Sequence, residues 1–287
     1  MSTRDAIISS RRTVEELTFR DIDDLPNDEL DDLDEVEEIE VELAVLALTG
    51  TTVVDDGLVE RAYERALDRA GIATSAEERI AALACIRDNI GCDRADVFRH
   101  LVSASPHAST TNSAAGGDEV ATTDADDQAS HAVSEFEAAF AELREREGVE
   151  AVPGAAVAIR ELRASGVRVA LISGFNSATT RAMLAELGWA DLADVVLSSD
   201  DVPRGRPRPD LALTALLRCA GSAVERMIVV GDTVSDIESG LAAGAGVTIG
   251  VLTGSHDERS LADAGADAVI DSIADLPALL GLDRPIA

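Results

Sequence analysis

Five short apolar runs, at 41–48, 167–172, 195–197, 227–230 and 247–252, are built mainly from Val, Leu, Ile and Ala with at most one charge in each. Runs this short that do not alternate polar with apolar residues read as strands covered on both faces. Helix-length stretches at 155–164, 177–187, 210–219 and 235–243 separate the later runs. Strand and helix in alternation predict a parallel sheet with crossover helices, an α/β doubly wound core. Such sheets hold ligands beyond the carboxyl ends of their strands, so the residues directly after each apolar run are the first candidates for function.

The interval 57–150 departs from this alternation. "LVERAYERALDRAGI" and "AVSEFEAAFAELREREG" are amphipathic helices with no strand between them, which predicts a helical cap inserted after the first core strand. Between them "SASPHASTTNSAAGGDEVATTDADDQAS" is low in complexity, and a mobile loop is expected at about 105–130. The core is thus expected from 41–56 and 151–287. Residues 1–40 contain "DIDDLPNDELDDLDEVEEIE", a like-charge block with too little apolar surface to offset its ordering entropy. It reads as a disordered tail, either solvating or an arm for a protein partner.

The formal net charge is -31, and all 24 basic residues are arginines. Such a surface repels phosphate backbones and anionic lipid, so neither nucleic acid nor membrane is expected as a partner. Cys85, Cys92 and Cys219 lack metal-ligand spacing, and their odd number argues against a disulfide framework. His100, His107, His131 and His256 are scattered without a ligand pattern. No apolar run approaches the roughly 18 residues of a membrane span, and no signal-peptide core precedes the acidic block, so a soluble cytoplasmic protein is expected.

Four strand ends carry suggestive residues. "ALTGTT" (47–52) turns sharply after the first run, and "VALISGFN" (169–176) offers Ser173 and the Gly174 amides. "SSDDVPRGRPRPD" (198–210) presents Arg204, Arg206 and Arg208 in a stiffened loop, and "VVGDTVSDIESG" (229–240) places Asp232 at a strand end with Asp236 four residues on. Two carboxylates so spaced can hold a hard cation such as Mg²⁺. Taken singly, each has a plainer reading: a capped helix, a turn hydroxyl, surface charge. Their joint order says more.

In that order the four segments resemble the haloacid dehalogenase-like (HAD) superfamily, and more narrowly its phosphonatase-like hydrolases, over about residues 41–283. The resemblance implies a phosphoester or phosphonate ligand. It implies that Ser173 hydrogen-bonds the phosphoryl group, that Arg206 neutralises it, and that Gly50, Thr51 and Gly174 help to cradle it. Mg²⁺ would be held by Asp232, Asp236 and the backbone carbonyl of Thr49, with Thr49 at the position of the family's general acid/base. It also implies an aspartate nucleophile at position 47, where this chain has Ala47. Alanine can neither attack phosphorus nor bind metal. Lysine, which related phosphonoacetaldehyde hydrolases use as a cap Schiff base, is absent altogether.

Three readings follow: a scaffold that binds a small phosphorylated ligand without turning it over, an active hydrolase in which an original aspartate 47 was replaced, or a hydrolase working through metal-bound water.

Overall fold

A computed structural model describes residues 6–9, 38–104 and 118–282. Its centre is a sheet of six strands in the order β5-β4-β3-β6-β7-β8, every neighbouring pair parallel. The strands are β3 (Leu43–Ala47), β4 (Arg168–Ile172), β5 (Val195–Leu197), β6 (Met227–Gly231), β7 (Val247–Val251) and β8 (Ala268–Ile270). The chain winds outward from β3 through β4 and β5, then crosses back to β6 and continues through β7 and β8. The crevice between β3 and β6 is therefore the topological switch point.

The side-chain period of two divides the strands between two apolar layers. Ala44 and Leu46 join Val169, Leu171, Ile228 and Val230 on one face, against Ile159 and Leu162 of α5 (Ala155–Ala164). Leu43 and Val45 join Ala170, Ile172 and Val229 on the other, against Leu211, Ala212 and Ala215 of α7 (Asp210–Arg218). The remaining core helices are α6 (Ser177–Glu186), α8 (Val234–Ala243), α9 (Glu258–Asp263) and α10 (Leu276–Leu279). This is the α/β doubly wound core that the apolar runs predict.

The insertion after β3 is all helical among the described residues: α1 (Leu58–Ala70), α2 (Ala76–Asp88), α3 (Arg94–Ala104) and α4 (Asp118–Glu147). The protein is poor in aromatic residues, yet four of its five phenylalanines and its single tyrosine meet here. Phe136 of α4 lies 4.7 Å from Tyr63 of α1 and 5.8 Å from Phe175, which follows β4. Phe140 lies 4.2 Å from Phe175, and Phe98 of α3 lies 5.3 Å from Tyr63. Among the described residues the seam between cap and core is thus where the aromatic rings cluster, Trp189 being buried elsewhere in the core.

Three expectations need correction. Helix α4 begins at Asp118 and takes in the second half of the stretch expected to be a loop at about 105–130; residues 105–117 lie outside the described residues. Ala129, Ala132, Phe136, Ala139 and Leu143 are all buried and recur at three- and four-residue spacing, so small apolar residues continue the packed face past the visible amphipathic pattern. Within the acidic stretch, β1 (Ala6–Ser9) pairs antiparallel with β2 (Glu38–Val41), while residues 1–5 and 10–37 lie outside the described residues. The run at 41–48 divides at Glu42, whose side chain accepts from the Ser222 amide at 3.0 Å and from Arg226 at 2.6 Å. Strand β8 gave no apolar run long enough to notice. Among the described residues no helix is long and apolar enough to cross a membrane. The three cysteines are free thiols, Cys219 buried and Cys85 and Cys92 half-buried.

The aromatic seam gives a test. Phe136→Ala should lower unfolding free energy by about 3–5 kcal/mol in urea titrations, because a fully buried ring would leave a cavity. Ile80→Ala, at a site 72% exposed, should change it by less than about 0.5 kcal/mol.

Candidate functional site

Register assembles the site. Leu46 pairs with Leu171 on one side and Val230 on the other, and Ala47 pairs with Ile172, so the residues leaving β3, β4 and β6 emerge together. A small cavity at this point is lined by Thr49, Ser173, Gly174, Arg206, Asp232 and Asp236 from the core. Four separated segments that the sequence singled out are thus brought to one place. Ala47 sits just beneath, 1% exposed, a methyl at the end of the central strand.

The turn after β3 is tied to the end of β6. The Thr51 hydroxyl donates to Asp232 Oδ1 at 3.0 Å. The Thr52 hydroxyl donates back to the carbonyl of Ala47 at 3.0 Å, closing the turn on its own strand. Gly50 has φ 85°, and a Cβ there would fall on the Asp232 carboxylate, so only glycine admits this approach. The Gly50 amide donates to the Val53 carbonyl at 2.7 Å and the Thr52 amide to that of Leu48 at 2.8 Å. In this state these amides donate within the turn itself. The Thr49 hydroxyl is buried with no hydrogen-bond partner.

Beside it, Ser173 is buried, and its Oγ accepts from the Phe175 amide at 3.1 Å, which leaves the hydroxyl proton free to donate into the cavity. Arg206 is ion-paired with Asp236, the two side chains being 10% and 1% exposed. Asp236 also accepts from the Thr233 amide at 3.1 Å, while its own amide donates to the Thr233 hydroxyl at 3.2 Å. Asp236 is therefore both a helix-capping residue of α8 and a member of the site, and the two readings of D-x-x-x-D are compatible. Asp232 accepts additionally from the Ser255 amide at 2.9 Å. Burial first, and the charge of Asp236 second, push its carboxyl up to about 7, against the opposing hydrogen bonds and Arg206.

Asp232, Asp236 and the Thr49 carbonyl are hard oxygen donors, and an uncompensated buried carboxylate beside a second one is the setting that a divalent cation relieves. With alanine at 47, no group of three or more ligating side chains converges among the described residues, so this donor set is sparse.

Two cavity residues were given no role from the sequence, Asp55 because it lies past the turn and Arg94 because no motif singled it out. Asp55 follows the turn, lines the cavity and accepts from the Val59 amide at 3.2 Å, and burial raises its pKa. Arg94 comes from the cap: its guanidinium lies 4.3 Å and 4.1 Å from the ring centroids of Phe136 and Phe175, and it donates to the Gly174 carbonyl. The signal was available. Arg94 opens α3, and a cation at a helix N-terminus opposes the helix dipole. Its neighbour Asp93 binds the arginine loop: Asp93 Oδ2 accepts from the Gly205 amide at 2.7 Å, and the Asp93 amide donates to the Arg206 carbonyl at 2.7 Å. Glu137 of α4 accepts from the Asn176 amide at 3.1 Å and the Thr179 hydroxyl at 2.6 Å. The cap is therefore fastened over the strand ends.

The family model for haloacid dehalogenase-like hydrolases matches residues 48–244, more than half of the chain. The chain belongs to the haloacid dehalogenase-like hydrolases. Within that family it is 32% identical over 138 residues to a phosphoglycolate phosphatase of Rhodospirillum rubrum, covering 48% of this chain and 56% of that protein. It is 31% identical over 153 residues to a phosphonoacetaldehyde hydrolase of Bordetella pertussis, covering 45% and 55%. The chain thus spans about half the length of these curated relatives. Among solved structures, a hydrolase from Pseudomonas syringae aligns with TM-score 0.67 at 22% identity, over 85% of this chain and all of that one. A phosphonoacetaldehyde hydrolase-like protein from Oleispira antarctica aligns with TM-score 0.65 at 24% identity, over 84% and 91%. These structures place the haloacid dehalogenase-like fold across core and cap.

The raised pKa of Asp232 has a sign that can be measured. An unfolded aspartate titrates near 3.9, so between about pH 4 and 7 the native state holds the proton more tightly, and stability falls as pH rises through that window. In buffer with a chelator, Asp232→Asn should remove this component. Its stability relative to the parent chain should rise between pH 5 and pH 8 in urea titrations; a difference independent of pH would contradict the assignment.

Proposed function

We propose that this chain is a phosphonatase-like member of its family that binds a small phosphoester or phosphonate and lacks the nucleophile needed to turn it over. The observation that carries the reading is Ala47. It stands at the end of the central strand, between the ends of β4 and β6, where the family resemblance expects the attacking carboxylate. Besides the candidate metal ligands, the remaining oxygen groups nearby are hydroxyls and one carboxylate: Thr51 and Thr52 spend their protons tying the turn to Asp232 and to the Ala47 carbonyl, Ser173 is placed to donate, and Asp55 is engaged at the start of α1.

Binding does not need that carboxylate. Ser173 retains a hydroxyl proton to donate, Arg206 brings a guanidinium to the cavity, and removal of a carboxylate removes ground-state repulsion of a phosphoryl dianion. Mg²⁺ would be held weakly by Asp232, Asp236 and the Thr49 carbonyl, and when bound would offset the charge of the phosphoryl oxygens. Asp236 already meets Arg206, so the cation competes with an ion pair for one of its two carboxylates. The acidic segment at 1–40 is left as a candidate arm for a protein partner.

A second reading, favoured by the complete convergence of Ser173, Arg206, Asp232 and Asp236, is that the site is a working hydrolase site in which aspartate 47 was exchanged for alanine. One experiment tests both readings against turnover through metal-bound water. Phosphate release from small phosphomonoesters and phosphonates is measured with Mg²⁺ for the chain and for Ala47→Asp. The parent chain should be inert, and Ala47→Asp should gain on the order of 10⁴–10⁶ in rate, the scale of losing a nucleophile. Turnover by the Ala47 chain itself would overturn the proposal in favour of metal-bound water. Inactivity of both would leave binding as the whole function.

A further inference from the structure

Arg94 is a half-buried cation, its Nε fully covered, without a counter-charge among the described residues. Among the described residues no carboxylate lies within ion-pair distance of it, although Glu137 and Asp93 are its nearest acidic influences. Both are committed elsewhere, Glu137 to Asn176 and Thr179 and Asp93 to Gly205. Its single acceptor is the Gly174 carbonyl, and its Nε is buried and donates to nothing. Burying a guanidinium in this way is costly unless something completes its hydrogen bonds and charge.

Its position is fixed and not incidental. The plane is held against Phe136 of the cap and Phe175 of the core, and its fork lies at the same turn that Arg206 reaches. A Cβ on Gly174 would stand 3.2 Å from Arg94 Nη1 and 3.3 Å from Arg206 Nη2. Two guanidinium groups therefore flank the turn that carries Ser173, with only Asp236 to pair one of them. Like charges brought this close in a shielded cavity mark a place prepared for an anion.

We propose that Arg94 is the residue through which the cap binds the ligand's anionic group, a tetrahedral oxyanion of a phosphoester or phosphonate seated between Arg94, Arg206 and Ser173. The assignment rests on reading this cavity as a phosphoryl site. Because Arg94 belongs to α3 and the other two groups to the core, the anion joins the two domains, and occupancy and cap closure become one event. The residual charge that attracts the anion comes from Arg94, since Arg206 is already paired.

The test is calorimetric titration of the full chain, with Mg²⁺ present, using inorganic phosphate and methylphosphonate as probes. Arg94→Met keeps a long side chain against the rings but removes the charge, and Arg94→Lys keeps the charge but not the fork. Amide exchange of α3 is followed with and without phosphate. Phosphate should bind the parent chain, weaken at least tenfold in Arg94→Met and less in Arg94→Lys, and slow α3 exchange in the parent chain alone. Phosphate binding that is unchanged in Arg94→Met would overturn the role of Arg94 and leave the phosphoryl site standing. Failure of both probes to bind the parent chain would overturn the site and Arg94 together. Should Arg94→Met fail to fold, Arg94→Lys decides: weaker binding with no change in melting temperature supports the assignment, and unchanged affinity rejects it.

Discussion

The site depends on β3 being hydrogen-bonded on both sides in fixed register. Parallel ladders to β4 and β6 hold Leu46 level with Leu171 and Val230, and a slip of one residue would exchange the two faces of the strand. Such a slip would place Leu46 where Val45 packs, which the two apolar layers forbid. The same constraint that builds the core thus fixes where Thr49, Ser173 and Asp232 emerge. Precision at the cavity comes from aliphatic packing some distance below it.

Above the sheet, the site is a problem in buried charge. Three carboxylates and two guanidinium groups face a small cavity, and a single ion pair, Arg206 with Asp236, accounts for two of the five. Asp232 is held by the Thr51 hydroxyl and the Ser255 amide, and Arg94 by aromatic rings and one carbonyl. The fold tolerates these because the aromatic seam and the cap's hydrogen bonds over-determine the geometry. The charge left unmatched at the site is what the proposed anion beside Arg94 and the proposed cation beside Asp232 would neutralise.

Much of this was legible in the sequence, for particular reasons. Strands covered on both faces announce themselves as uninterrupted apolar runs, so β4, β5, β6 and β7 were placed to within a residue, whereas the run that gave β3 also took in the end of β2 and the three residues of β8 were too few to register. Ser173, Arg206, Asp232 and Asp236 were singled out because ligands of a doubly wound sheet lie at its strand ends, and the four line one cavity. Arg94 was not: its place at a helix N-terminus marks it as unusual, but the direction from which a cap helix approaches the site is not encoded in one-dimensional periodicity. The use of the Gly50 and Thr52 amides within their own turn was hidden likewise: composition identifies a tight turn but not which carbonyls its amides meet. Helix α4 was shortened by the reading because alanine-rich packing has no conspicuous apolar signature.

The grip of Asp93 on the arginine loop has a kinetic side. Its amide and carboxylate hold the backbone of Gly205 and Arg206, so lifting the cap pulls on the loop that supplies one cation while withdrawing the other on Arg94. On the proposed binding mode, an oxyanion held by Arg94 and Arg206 would leave only when both attachments loosen together, so residence time, more than equilibrium affinity, would be the quantity that this architecture controls.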